Sequence, residues 1–69
     1  MRVNFNIFKD NISWNALIHQ LNGDVLLRHV LVKGNVVDRN IDFIYCDETC
    51  EGKIINGDNQ LIGNFSTSH

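Results

Sequence analysis

The segment that decides the fold class runs from residue 12 to residue 23 and has the sequence ISWNALIHQLNG. Four of its apolar residues are spaced as i, i+3, i+4 and i+7, which places them on one face of a helix: Trp14, Leu17, Ile18 and Leu21. The pair Asn22 and Gly23 is typical of a helix C-terminus, with the glycine in the left-handed conformation. We therefore predict a helix over residues 12–22.

The same segment also fits a strand, and this alternative stays open. Alternate apolar residues would then share one face of a sheet: Ile12, Trp14, Ala16 and Ile18. Asn-Gly is the favoured two-residue turn of a β-hairpin, so Asn22 and Gly23 are consistent with either structure. The helix is the interpretation that we adopt.

On both sides of this segment the pattern indicates β-strands. Val3, Phe5 and Ile7 alternate with polar residues, which is the period of a half-buried strand. After residue 24, short β-rich runs cover residues 25–32, 36–37, 41–45, 53–55 and 60–62, and glycine- and asparagine-rich turns separate them. We expect residues 66–69 to form a frayed tail.

These elements predict one small α+β domain, mostly β, over residues 1–69. We expect four to five short antiparallel strands in a small sheet or a partly open barrel, with the helix at 12–22. A core this small often needs a second copy for stability, so a homodimer is expected. The residues expected to dominate the core are Val3, Phe5, Ile7, Trp14, Leu17, Leu21, Val30, Val32, Phe43, Ile54 and Leu61.

Composition excludes several classes of protein. The chain is 43% hydrophobic, contains no proline and has a formal charge of −2, which excludes disordered and collagen-like chains. No apolar run approaches the length of about 20 residues needed to span a bilayer, and the first residues do not resemble a signal peptide. We therefore expect a cytoplasmic protein that does not contact a membrane.

The sequence predicts no enzyme, no metal and no cofactor. Cys46 and Cys50 have a C-x3-C spacing, whereas zinc sites usually use C-x2-C or C-x4-C with a second pair of ligands. A zinc site would need two of His19, His29 and His69, and a disulfide is a further alternative. We expect reduced thiols, and their acidic neighbours should disfavour the nucleophilic thiolate. No glycine-rich phosphate loop is present.

Two charged clusters are the candidate binding residues. Asp47, Glu48 and Glu51 form an acidic connection that could steer a basic partner. The expected function is therefore a non-catalytic protein–protein interaction module: a small regulator, adaptor or inhibitor that binds another protein. It would use this connection or an exposed strand edge, and edge pairing could also build the homodimer.

Nucleic-acid binding is the alternative function. Arg28, Lys33 and Arg39 could contact phosphates if the fold brings them to one face of a small β-barrel. Proteins that bind single strands also stack bases on exposed aromatic rings, and only Phe43 and Tyr45 lie near this basic cluster. Both rings fit a core position better, so nucleic acid ranks second to protein as the partner.

Overall fold

The computed structural model describes residues 1–37 and 39–68. Within these residues the chain forms a five-stranded antiparallel sheet and one helix, in the order β1 (Arg2–Ile7), β2 (Ile12–Leu17), α1 (Gly23–Lys33), β3 (Asp42–Cys46), β4 (Glu51–Ile55) and β5 (Leu61–Ser68). The strand order across the sheet is β2-β1-β5-β4-β3, so the sheet is open and has β2 and β3 at its edges. The predicted α+β, mostly β class is confirmed, as an open sheet and not as a barrel.

The predicted helix at 12–22 is wrong in position. Residues 12–17 form β2, which pairs with β1 as a hairpin and places Trp14 opposite Phe5. Asn11 takes the left-handed conformation (φ 55) in the turn between the strands. The spacing of Trp14, Leu17 and Ile18 fits a helix locally. As a strand, however, the segment forms a ladder of interstrand hydrogen bonds with β1, which it could not form as a helix.

The helix lies instead where the sequence predicted a strand, at residues 23–33. Asn22 is its N-cap, and its Oδ1 accepts a hydrogen bond of 2.9 Å from the N–H of Val25. The buried residues Leu26 and Val30 are four positions apart and so share one face. Gly23 begins the helix without a positive φ, so the Asn-Gly pair starts a helix and does not end one.

The core lies between α1 and the inner face of the sheet. The buried hydrophobic residues are Val3, Phe5, Ile7, Ile18, Leu26, Val30, Ile41, Ile54 and Phe65. Three residues that were expected in the core are exposed: Leu17 (77%), Val32 (73%) and Leu61 (50%). Leu17 lies on the outer face of the sheet because residues 12–17 form a strand, in which side chains alternate between the two faces. Val32 lies on the solvent side of the helix.

Aromatic rings cross the inner face in one row. The strand register aligns Trp14, Phe5, Phe65, Gly52 and Tyr45. Phe5 stacks on Trp14 with ring centroids 4.8 Å apart, and Phe65 stacks on Tyr45 with centroids 5.9 Å apart. A Cβ atom at Gly52 would lie 2.1 Å from Cζ of Phe65, so glycine leaves the space that this ring occupies.

The last described residues of the chain belong to the sheet. Residues 66–68 belong to β5 and pair with β1, so they do not form the predicted tail, while His69 lies outside the described residues. Thr67 is buried, its hydroxyl lies 2.7 Å from the Tyr45 hydroxyl, and its N–H donates to the carbonyl of Cys50 at 2.9 Å. These hydrogen bonds attach the last strand to β3, through Tyr45, and to the turn between β3 and β4, through Cys50.

Candidate functional site

A groove crosses β3, β4 and β5 on the outer face of the sheet, which is the face opposite α1. Its volume is ≈ 420 Å³. The register places Ile44, Lys53 and Asn64 side by side across these three strands, and all three line the groove. We call this feature the outer groove.

Two large aliphatic side chains are exposed in the outer groove. Ile44 is 54% exposed and Leu61 is 50% exposed. Leu61 reaches this face through an irregularity in the ladder: Ile54 pairs with Gly63 and Ile55 pairs with Leu61, which leaves one extra residue in β5. Exposed aliphatic residues inside a concave surface are typical of a site that binds an apolar group.

The predicted acidic residues lie at one end of the outer groove. Asp47 and Glu48 are exposed in the turn between β3 and β4, and Glu51 begins β4 and lines the groove itself. Lys53 adds one positive charge farther along β4. The acidic residues therefore lie nearer to Ile44, which is opposite Lys53, than to Leu61, which is opposite Ile55 at the far end of β4.

The thiol of Cys46 also lines the outer groove and is exposed. The pKa of Cys46 lies below its ordinary value because the N–H and the hydroxyl of Thr49, and the N–H of Glu48, donate hydrogen bonds to the sulfur. The nearby charge of Asp47 raises the pKa, as the sequence indicated, but the turn donors outweigh it. The expected suppression of the thiolate is therefore wrong for Cys46.

The lowered pKa of Cys46 could have been predicted from a pattern in the sequence. A residue that precedes a tight turn often accepts hydrogen bonds from backbone N–H groups two or three positions later, which is why Asp, Asn and Ser are common there. Cys46 takes this place, with Thr49 three residues later. A thiolate is the better acceptor, so the turn stabilises the deprotonated form.

Cys50 occupies the last position of the same turn in a left-handed conformation (φ 57). Its Sγ donates a hydrogen bond of 3.7 Å to the carbonyl of Asp47, and both cysteines are free thiols. Over residues 1–37 and 39–68, no three His, Cys, Asp or Glu side chains lie close enough together to hold a metal ion. His69, one of the candidate zinc ligands, is outside these ranges.

The predicted basic cluster is divided. Arg28 and Lys33 lie on the exposed side of α1 and line one shallow cleft, whereas Arg39 lines a different cleft beyond the helix. The neighbouring aromatic residues Phe43 and Tyr45 both contact the ring of Phe65 on the inner face. The fold thus brings Arg28 and Lys33 together and separates them from Arg39. The two aromatic rings pack in the core and do not line the cleft of Arg28 and Lys33.

We expect the reactivity of Cys46 to depend on the turn. In the folded protein, the midpoint of its alkylation rate against pH should lie lower than in urea, because the folded turn favours the thiolate. Thr49→Val removes the hydroxyl donor and should move this midpoint upward, whereas Thr67→Ser should leave it unchanged. Iodoacetamide labelling followed by peptide mass spectrometry measures the rate. Equal midpoints in folded and unfolded protein would contradict the assignment.

Two residues of the groove were not predicted as functional. Leu61 is expected in the core, and Ile44, which alternates with Phe43 and Tyr45 and so lies on the side of Asp42, has no expected role. An isoleucine on the polar side of an alternating strand was the available signal, since it exposes an apolar side chain.

Comparisons with protein-family models, curated proteins and solved structures find no match. Among the described residues, no helix combines the length and hydrophobicity needed to cross a bilayer.

Proposed function

We propose that this protein is a non-catalytic interaction module whose outer groove receives a basic segment of another protein. The observation that supports this proposal most directly is the exposure of Ile44 and Leu61 in a ≈ 420 Å³ groove beside the acidic turn. A complementary segment would carry one apolar side chain for the groove and lysine or arginine residues for the acidic end. Such a module could act as a small regulator, adaptor or inhibitor.

The two parts of the surface would contribute differently to binding. Burying a whole aliphatic side chain contributes roughly 1.5–3 kcal/mol, so the exposed halves of Ile44 and Leu61 would contribute about 1 kcal/mol each. Asp47 and Glu48 are exposed to solvent, where charges act mainly on the association rate and on specificity. We therefore expect the aliphatic pair to set the lifetime of the complex and the acidic turn to set its salt dependence.

The site favours binding over catalysis and protein over nucleic acid. Among the residues that the structure describes, no histidine lines the outer groove, so no imidazole there can act as a base for the Cys46 thiol. The acidic turn would repel phosphate groups at the groove. On the other side of the molecule, Arg28 and Lys33 form a small positive surface from which Arg39 is separated. Binding of single-stranded nucleic acid remains the second proposal.

A selection from a library of linear peptides displayed on phage tests the protein-binding proposal. Selected peptides should combine an aliphatic or aromatic residue with flanking lysine or arginine. Ile44→Asp should weaken their binding at least about tenfold, because it places a charge in the apolar part of the groove. Val32→Asp is the matched control, since Val32 is 73% exposed on α1, away from the groove.

A charge reversal tests the acidic end separately. Glu48→Lys should slow association with the same peptides and reduce its dependence on salt. Asp58→Lys makes the same change in charge in the turn at the opposite end of β4, and should have a smaller effect. Enrichment of acidic peptides, equal binding by Ile44→Asp and Val32→Asp, or equal effects of the two lysine variants would each contradict the proposal.

A further inference from the structure

We infer that a second copy of this chain pairs with the free edge of β2, antiparallel and with Asn15 on the two-fold axis. The two sheets would then form one continuous sheet in the dimer. This edge lies at the opposite side of the sheet from β3 and the outer groove, so the inference goes beyond the proposed function. It rests on the backbone groups of β2 that pair with no other described strand, on the lack of charge in β2 and on its self-complementary sequence.

The backbone groups of β2 that face outward follow from its ladder with β1. The N–H of Ile18 donates to the carbonyl of Met1 at 2.9 Å, and the amino group of Met1 donates to the carbonyl of Ile18 at 3.2 Å. Hydrogen-bonded and non-hydrogen-bonded pairs alternate along an antiparallel ladder. Ser13, Asn15 and Leu17 are therefore non-hydrogen-bonded to β1, and their N–H and C=O groups point to the free edge.

The β2 edge lacks three features that commonly prevent an edge strand from pairing, namely charges, prolines and bulges. Its sequence ISWNAL contains no charged residue and no proline, and its ladder with β1 is regular. The other edge differs, because β3 begins with Asp42 and leads into the acidic turn. Two copies that met through β3 would bring like charges together, whereas two copies that meet through β2 would not. This difference favours β2 as the edge that a second copy uses.

The hydrogen-bonding pattern selects the register. With Asn15 opposite its own copy, Ser13 faces the partner's Leu17, and every outward N–H and C=O group of these residues finds a partner. If Trp14 faced its own copy instead, Leu17 would face the partner's Asn11, which has a positive φ of 55 in the turn. That register would lose hydrogen bonds at both ends, so the register centred on Asn15 is preferred.

The side chains fit the same register. On the inner face, Trp14 would lie opposite the partner's Ala16, which places a large side chain against a small one, and Ile12 would lie opposite the partner's Ile18. Ile12, Trp14 and Ala16 are only partly buried in the single chain, so pairing would extend the core across the two sheets. On the outer face, the two Asn15 amides would meet and could hydrogen-bond to each other.

Sedimentation across a concentration series, under reducing conditions, tests the inference. The wild-type protein should reach twice the chain mass of 7.9 kDa. Asn15→Lys and Asn15→Asp each place like charges opposite each other on the axis, and each should raise the dimer Kd at least about tenfold. An equimolar mixture of the two variants should recover the dimer, because residue 15 of one copy then meets the opposite charge of the other.

Asn4→Lys is the matched control. Asn4 is the neighbour of Asn15 across the β1–β2 ladder and is exposed on the same face, but it does not lie at the edge. This variant should remain dimeric, and circular dichroism checks that each variant is folded. A monomeric wild type, a dimer that Asn15→Lys leaves intact, or a mixture that fails to recover the dimer would overturn the inference. Failure here would leave the outer-groove proposal unaffected, since peptide binding by Ile44→Asp tests a different surface.

Discussion

Phe65→Ala should lower the free energy of unfolding by about 3–5 kcal/mol, the usual cost of truncating a buried phenylalanine. Phe65 is 2% exposed and lies at the centre of the aromatic row. Its ring centroid is 6.3 Å from that of Phe5, 6.1 Å from that of Phe43 and 5.9 Å from that of Tyr45. The total stability of a domain this small is roughly 5 kcal/mol, so a large fraction of the variant should be unfolded.

Urea unfolding followed by circular dichroism measures this effect. Phe65→Leu keeps part of the volume and should cost less than Phe65→Ala. Phe8→Ala is the matched control, because Phe8 is 45% exposed at the end of the β1 strand and lacks these ring contacts. The assignment of Phe65 as the central core residue would be wrong if the Phe65 and Phe8 variants lost similar stability.

Gly52→Ala should destabilise the protein by roughly 1–3 kcal/mol, although alanine is less costly than glycine in a regular element. A Cβ atom at residue 52 would lie 2.1, 2.3 and 2.7 Å from three atoms of the Phe65 ring. The ring cannot easily move away, because it packs against Phe5 on one side and Tyr45 on the other. Local propensity alone predicts that Gly52→Ala stabilises the protein. The clash with the Phe65 ring should make the change destabilising instead.

Gly23→Ala provides the comparison for Gly52→Ala. Gly23 is exposed at the first position of α1, and a Cβ atom there would meet no atom within 4 Å. This change should stabilise the protein by about 0.4–1 kcal/mol, because alanine restricts the unfolded chain. The double variant Gly52→Ala with Phe65→Leu should lose less than the sum of the two single changes, since the smaller side chain leaves space. A strictly additive result, or a Gly52→Ala variant as stable as Gly23→Ala, would contradict the contact.

The candidate site was only partly accessible from the sequence. The acidic residues Asp47, Glu48 and Glu51 are adjacent in the chain, so the sequence could locate them. The exposed pair Ile44 and Leu61 depends on the pairing of β3, β4 and β5 and on the irregularity in β5. Such pairing is a property of distant segments, and no local pattern contains it.

The sequence by itself determined the fold class, through the alternation of Val3, Phe5 and Ile7 and through turn residues that divide the chain into short elements. Only the tertiary structure decided that residues 12–17 are a strand and residues 23–33 a helix. The apolar spacing of both segments fits either structure, and intrinsic propensities differ by at most about 1 kcal/mol per residue. The ladder between β1 and β2, together with burial of Leu26 and Val30 against the sheet, outweighs that local difference.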